Sequence, residues 1–341
     1  MPGVPDSFWI VVAGLFGALI GSFLNVVIWR LPRGQNLSVP PSHCPSCNTP
    51  IPPYWNIPLI SFIALGAKCK WCKKPISWRY FGVELLTAVL FTLIAWKFGY
   101  SVQTVAYCLL TAPMIAAFFI DLELFIIPDQ LNTFGLAVGI LADVIGIFRH
   151  DPHHALIWGW LPRSIMGAVI CAGVFFFIQG LGLALFKKEA MGDGDVKLAR
   201  AIGAVLPLSL ALLSFFYAVF AGAIIGGAMI LFTRKSGDTI VEQPETALAE
   251  EGESAYPWWS SGAYLLFLDL IAGGLAFLKI PGAAKWHHFF SGPPEMLDVE
   301  DDWVPGPTHI PFGPFMVIGA VSAMFVGEPF IAWYMRFVGL H

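Results

Sequence analysis

Residues 98–121 read FGYSVQTVAYCLLTAPMIAAFFID, a long uncharged run that ends in a single aspartate, Asp121. A helix needs ~20 apolar residues to cross the hydrocarbon core of a bilayer, so this run predicts a membrane span. An ionisable side chain at the end of a span is costly unless it is paired, and this favours a functional role for Asp121. The alternative is a helix-end aspartate that lies among the lipid headgroups.

The composition predicts several spans of this kind. Of the 341 residues, 57% are hydrophobic and only 12% are charged, whereas a soluble domain carries about a quarter charged residues. We therefore predict an all-α polytopic membrane protein with about eight transmembrane helices. The predicted spans are 7–29, 81–96, 98–120, 131–148, 164–186, a helix that starts near 195, a helix that follows a turn at 207 and ends near 232, and 310–335.

The distribution of charge predicts the orientation in the membrane. From Arg30 to Arg79, after the first span, the chain has seven basic residues and no acidic one. The positive-inside rule assigns such a loop to the cytoplasm, which leaves the N-terminus outside. Counting spans from there predicts that Asp121 and Asp195 both lie at the cytoplasmic face.

Asp195 closes a glycine-rich stretch, GDGD at residues 192–195, just before another apolar region. Gly192 and Gly194 tolerate positive φ and allow a substrate backbone to come close. Two carboxylates that share a site cannot both ionise easily, so together they can supply an acid and a base. Asp121 and Asp195 are therefore candidates for hydrolytic chemistry. The alternative for Asp195 is a helix N-cap.

Four cysteines in the basic loop form a second candidate site. Cys44 and Cys47 make one C-x2-C pair, and Cys69 and Cys72 make another. Two such pairs are typical of a structural zinc site with tetrahedral thiolate coordination. Disulfides are the alternative, which a cytoplasmic location disfavours because thiols stay reduced there.

Taken in order, these segments resemble the bacterial type IV prepilin peptidases, which are aspartic membrane proteases with a GxGD motif. The matching segments are GSFLNVVIWRLP at 21–32, the two cysteine pairs, NIPLIS at 56–61, PISWRY at 75–80, ELLT at 84–87, DLELFIIPD at 121–129, GDGDVK at 192–197 and PFGP at 311–314. No single motif would suffice, but the ordered set is specific. It covers roughly residues 8–235 and 310–335.

The resemblance implies an intramembrane aspartic endopeptidase of the bacterial cytoplasmic (inner) membrane. Such an enzyme removes the basic leader of a prepilin or pseudopilin at the cytoplasmic face and methylates the new N-terminus with S-adenosylmethionine. Asp121 and Asp195 are then the catalytic pair, and Gly192, Gly194 and Lys197 belong to the active-site loop. Membrane lipid is a further expected partner, and nucleic acid is not.

Asn25 and Glu84 are our candidates for cofactor binding, because both are polar residues at membrane boundaries of the N-terminal region. No GxGxxG motif follows a predicted strand, so we expect no Rossmann-type cofactor site. Either side chain can hold the cofactor or the pilin amine. The alternative for each is a structural hydrogen bond.

The chain divides into four predicted regions. Residues 1–97 hold the first span, the cysteine loop and the second span, and form the methyltransferase part. Residues 98–235 form the peptidase core, and residues 310–341 hold the last span. Residues 236–309 are an acidic insertion with an apolar segment, which departs from the family pattern.

Two other interpretations stay open at this point. The chain can be a peptidase without methyltransferase activity, or a transporter that uses membrane carboxylates as a proton or cation path. The sequence has no evident internal repeat of the kind that many transporters show, and the four cysteines have no evident role in one.

Overall fold

The computed structural model describes residues 6–150, 161–186, 191–236 and 310–339, and within these ranges the fold is all-helical without β-strands. The predicted fold class is confirmed. A short 3-10 helix covers Pro53–Trp55, and the last helix contains a π-helical turn at Ala323–Gly327. The helices are α1 (Asp6–Arg30), α2 (Ile60–Ala64), α3 (Trp78–Phe98), α4 (Val102–Leu124), α5 (Asp129–Phe148), α6 (Arg163–Phe186), α7 (Asp193–Val205), α8 (Leu208–Ser236) and α9 (Gly313–Phe337).

Seven helices in the described ranges are long and apolar enough to cross a membrane, namely all except α2 and α7. They correspond to seven of the predicted spans. The predicted span that starts near Asp195 is instead the 13-residue helix α7. At 1.5 Å per residue, α7 is too short to cross about 30 Å of hydrocarbon. The predicted turn at Pro207 does separate α7 from α8.

Contacts between helices divide the chain into two compact units. The first runs from α1 through Gly167 and includes Ala204–Pro207, and the second consists of Ala168–Gly203 and the residues from Leu208 onward. The two units are defined by contacts between residues, whereas the four regions predicted from the sequence are defined by expected function. The four regions therefore stay a prediction. The predicted insertion lies outside the described residues from 237 to 309.

In the first unit, α1 and α3 pack closely because glycines of α1 face α3. A Cβ atom on Gly17 would lie 2.8 Å from the Cα of Ala88, and one on Gly21 would lie 2.7 Å from the Cα of Glu84. Small residues let helix backbones approach each other in this way within membranes, where packing and hydrogen bonds drive helix association. The close approach brings Asn25 of α1 beside the first turns of α3.

Helix α4 is the most buried of the candidate spans in the described ranges. It packs against α1, α3 and α5, and its Ala106 forms a buried cluster with Val138 and Ala142 of α5. The helix ends at Leu124, and the next residue, Phe125, has a left-handed conformation (φ 56°) and donates its N–H to the carbonyl oxygen of Asp121 at 3.0 Å. The end of α4, and with it Asp121, is therefore fixed by backbone geometry.

In the second unit, α8 and α9 also approach each other closely. A Cβ atom on Gly319 of α9 would lie 2.3 Å from the carbonyl oxygen of Ser214 in α8, so only glycine fits there. Phe175 of α6 packs edge-on against Phe215 of α8, with ring centroids 4.7 Å apart. These contacts join α6, α8 and α9, and α6 in turn supports the loop that leads into α7.

Candidate active site and metal centre

The four cysteines of the basic loop converge in the first unit. Their Sγ atoms all lie within 4.8 Å of one another, with 3.8 Å between Cys44 and Cys72 and 4.0 Å between Cys47 and Cys69. Tetrahedral Zn²⁺ with Zn–S bonds of about 2.3 Å requires S···S distances of roughly 3.8 Å. None of the four forms a disulfide. The cluster therefore fits a metal ion, as the spacing predicts.

Each cysteine pair is held by its own backbone turn, and the two turns are of the same type. The N–H of Asn48 donates to the carbonyl oxygen of Cys44 at 2.8 Å, and the N–H of Lys73 donates to that of Cys69 at 3.1 Å. Asn48 and Lys73 both lie in the left-handed region, with φ of 56° and 58°. Each pair is thus presented by a knuckle that closes within a few residues.

Thr49 influences one of the four thiols. Hydrogen bonds with its hydroxyl group and its backbone N–H lower the pKa of Cys47 to about 6. A metal binds the thiolate and not the thiol, so these hydrogen bonds favour the form of Cys47 that binds a metal.

Asn25 and Glu84, the predicted cofactor residues, both lie where α1 and α3 face each other. Asn25 is buried, and its Nδ2 donates to the carbonyl oxygens of Tyr80 at 3.0 Å and Gly21 at 3.3 Å. Its Oδ1 is also buried and accepts no hydrogen bond from the described residues. Glu84 accepts a hydrogen bond from the N–H of Leu59 at 2.7 Å. The site thus combines a carboxylate with a buried acceptor that is still available.

Asp121 lies in the last turn of α4 and is 5% exposed. Two residues later, Glu123 forms an ion pair with Arg79 in the first turn of α3. Arg79 also ends the basic loop that carries the cysteines. Asp121 and the cysteine loop therefore lie at the same end of the first unit.

Asp195 lies in the first turn of α7 in the second unit, outside the membrane-spanning helices. Its N–H donates to the carbonyl oxygen of Gly192 at 3.1 Å. Burial raises the pKa of Asp195 to about 6, and a backbone hydrogen bond from Gly192 offsets part of this effect. A carboxyl group that titrates near neutral pH is suited to general acid or base catalysis.

Gln179 of α6 anchors the glycine-rich stretch and was missed from the sequence. Its Nε2 donates to Oδ1 of Asp193 at 2.9 Å and to the carbonyl oxygen of Met191 at 3.1 Å. Through Gln179, Asp193 therefore helps to hold the glycine-rich stretch against α6. This role explains why a second carboxylate is present beside Asp195. The available signal was a lone glutamine inside the long uncharged run of α6.

Two cations on α7 are buried. Lys197 is 8% exposed and Arg200 is completely buried. Residues three apart share a helix face, so one buried face of α7 carries both positive charges. Lys197 was predicted as a site residue, whereas the burial of Arg200 was not predicted. Asp121 and Asp195 belong to different units, and their action as a pair stays a prediction.

Comparison with known proteins decides the family. The model of the bacterial peptidase A24 N-terminal domain matches residues 15–98, and that of the type IV leader peptidase family matches residues 108–227. A prepilin leader peptidase/N-methyltransferase of Myxococcus xanthus is 32% identical over 339 residues, which cover 96% of this chain and 93% of that protein. The chain belongs to the type IV leader peptidase family.

Further members of the type IV leader peptidase family agree with this assignment. Proteins with the same name from Pseudomonas aeruginosa and Neisseria gonorrhoeae are 36% and 34% identical to the chain. The alignments cover 69% and 60% of this chain, and 86% and 77% of those proteins. No solved structure matches the chain.

Membership of this family confirms the predicted resemblance and the enzyme class, and it removes the support for a transporter. The N-terminal match includes the four cysteines, Asn25 and Glu84, and the second match includes Asp121 and Asp195. Each candidate residue thus lies within a segment that belongs to the family.

Proposed function

We propose that the chain removes the basic leader of a type IV prepilin or pseudopilin at the cytoplasmic face of the bacterial inner membrane, and then methylates the new N-terminus. Relatives named for these two activities align with most of the chain. The observation that carries the proposal is the position of Asp195 in the first turn of α7, just after Gly192 and Gly194, in a segment that matches the family.

Asp121 and Asp195 act as a pair in the proposed hydrolysis. One carboxylate accepts a proton from the attacking water, while the protonated carboxyl group of the other donates to the scissile carbonyl oxygen. The proton taken from water then passes to the leaving amine, the carbonyl oxygen returns its proton to the second carboxylate, and the peptide bond breaks. Gly192 and Gly194 leave room for the substrate backbone, and Lys197 adds positive charge close to Asp195.

The proposed orientation places the N-terminus outside and the active site in the cytoplasm. The excess of basic residues from Arg30 to Arg79 supports it, because such loops stay on the cytoplasmic side. The ion pair between Arg79 and Glu123 links this loop to the end of α4 that carries Asp121. Membrane lipid surrounds the spanning helices in this arrangement.

Asn25 and Glu84 are the residues that we assign to the methyl-transfer site. S-adenosylmethionine supplies the methyl group when it is bound, and its ammonium and hydroxyl groups are hydrogen-bond donors. The Oδ1 of Asn25 and the carboxylate of Glu84 are acceptors, so the residues present fit such a ligand. A bound pilin amine is a donor of the same kind.

Zinc in the proposed enzyme is structural. Four thiolates complete a tetrahedral shell and leave no position for water or substrate. The ion would hold together two knuckles in a loop that has little apolar core of its own. Cys44, Cys47, Cys69 and Cys72 are the proposed ligands.

Cleavage of a purified prepilin tests the proposed pair. We expect Asp121→Asn and Asp195→Asn each to lower the cleavage rate by about 10²–10⁴-fold, because an amide can neither take nor give the catalytic proton. Asp193→Asn is the matched control, since its Oδ1 can still accept from Gln179. Normal cleavage by either of the first two variants would rule out the pair.

Mass analysis of the cleaved pilin tests the methyl-transfer site. With S-adenosylmethionine present, the unmodified chain should yield a methylated N-terminus. Asn25→Leu and Glu84→Gln should lose methylation while cleavage continues. An unmethylated product from the unmodified chain would instead make this a peptidase alone.

A further inference from the structure

The segment from Tyr54 to Trp78, which leads into α3, exposes several large apolar and aromatic side chains. Tyr54 is 67% exposed, Ile60 64%, Ile63 68% and Trp78 70%. Ile57 is exposed as well. We call these five residues the loop surface. Several large apolar side chains exposed on one short segment indicate an interaction site.

The exposure of the loop surface is fixed by packing rather than by the absence of structure. Phe62, in the middle of α2, is buried and lies 5.0 Å from the ring of Trp78 and 5.2 Å from that of Phe81. Phe62 thus holds α2 against the start of α3. Ile60 and Ile63, three residues apart, are left on the outer face of α2.

The loop surface lies at the depth where a membrane span begins. Trp78 is the first residue of α3, which is long and apolar enough to cross a bilayer. Tryptophan and tyrosine prefer the boundary between headgroups and hydrocarbon, because they combine an apolar ring with a polar group. The position of α2 beside Trp78 places Ile60 and Ile63 next to this boundary.

The same loop carries exposed positive charge and no acidic residue from 31 to 77. Lys70 lies over the ring of Trp55, with its Nζ 4.5 Å from the ring centroid. Within the described ranges, none of the exposed lysines of the second knuckle forms an ion pair. These lysines are Lys68, Lys70, Lys73 and Lys74.

We propose that the loop surface docks on the anionic lipid leaflet that α1 and α3 enter. The five apolar residues insert at the boundary between headgroups and acyl chains, and the lysines bind lipid phosphates. Two observations select this partner: the surface is continuous with a membrane span, and its charge is complementary to anionic lipid. A prepilin leader is basic, so the same lysines would repel it.

Photo-crosslinking in vesicles tests the docking with the full chain. A benzophenone amino acid replaces Ile63 in one variant and the exposed Ser38 in another, and both are placed in vesicles of phosphatidylethanolamine and phosphatidylglycerol. We expect lipid adducts at position 63 and few at position 38, as measured by mass spectrometry. Equal yields at the two positions would overturn the proposal.

The charge of the loop supplies a second test. With the crosslinker at Ile63, the combined change Lys68→Gln and Lys70→Gln should lower the yield of phosphatidylglycerol adduct by about fivefold for each lysine. An unchanged metal content shows that the knuckles still fold. A preference for phosphatidylglycerol that survives both changes would contradict the proposal.

Added prepilin separates lipid from substrate at this surface. The lipid adduct at position 63 should persist when prepilin is present in excess. Its replacement by a prepilin adduct would overturn lipid docking. None of these measurements needs cleavage or methylation, so their outcome is independent of the proposed function.

Discussion

The cysteine loop and the glycine-rich stretch at 191–195 reach their geometry by different routes. In the loop, hydrogen bonds within each knuckle, such as that from the N–H of Asn48 to the carbonyl oxygen of Cys44, shape the turn that carries the cysteines. The stretch at 191–195 is instead held by Gln179, which donates to it from α6. A short sequence suffices for the first site, whereas the second depends on tertiary structure. The two sites should therefore respond differently to substitution.

Removal of one cysteine should have the largest effect, and the effect should stay local. Cys44→Ser leaves three thiolates, so we expect the bound metal to fall from one ion per chain to nearly none. Amide hydrogen exchange in residues 42–76 should rise by orders of magnitude, because the metal holds the two knuckles together. Exchange in α7 should stay as it was.

Cys108→Ser is the control for that experiment. Cys108 is buried within α4, away from the knuckles, so metal content and exchange in the loop should not change. Rapid exchange throughout α7 in the Cys44→Ser variant would contradict the local character of the metal site.

The burial of Asp195 should make stability depend on pH. Its carboxyl group has a pKa of about 6 in the folded chain against an ordinary value of 3.8, so ionisation as the pH rises through about 6 destabilises the fold. Asp195→Asn removes that cost. The variant should gain up to about 3 kcal/mol in the free energy of unfolding at pH 8, and nothing below pH ~4.

Thermal unfolding in detergent between pH 4 and pH 8 measures this difference. Asp193→Asn is the control, since the side chain of Asp193 is exposed and keeps its acceptor for Gln179. If the gain from Asp195→Asn were the same at both ends of the pH range, the burial of the carboxyl group could not be its cause.

The contrast between these two sites also explains what the sequence could predict. The spacing of Cys44, Cys47, Cys69 and Cys72 predicted the cluster, because the turns that present the sulfurs are local. Hydropathy predicted seven of the eight proposed spans correctly for the same reason. The helix between 195 and the predicted turn at 207 was wrongly counted as an eighth span, because its apolar residues are buried in the protein and about a dozen residues are too few to cross the bilayer. The role of Gln179 was not predicted, because its partners Met191 and Asp193 are brought to it only by the fold.

Loss of the Gln179 side chain should loosen the stretch at 191–195 and leave the cysteine cluster unchanged. Gln179→Leu removes both hydrogen bonds to the stretch and leaves Asp193 without this donor. Since a hydrogen bond contributes about 1 kcal/mol, we expect prepilin cleavage to slow by roughly tenfold. In Gln179→Asn the side chain is too short to reach both acceptors, so its cleavage rate should lie between those of the unmodified chain and the leucine variant. A full cleavage rate in the leucine variant would show that Gln179 does not position the stretch.

The ion pair between Arg79 and Glu123 should matter least for stability, although it joins the cysteine loop to the end of α4. Arg79 is 21% exposed and Glu123 is 40% exposed, so water screens the pair. Such pairs contribute less than about 1 kcal/mol, and Glu123→Gln should shift the unfolding temperature only slightly. An unfolding temperature that falls as far as in Cys44→Ser would mean that the loop is held mainly by α4. In that case the loop, like the stretch at 191–195, would depend on tertiary contacts for its geometry.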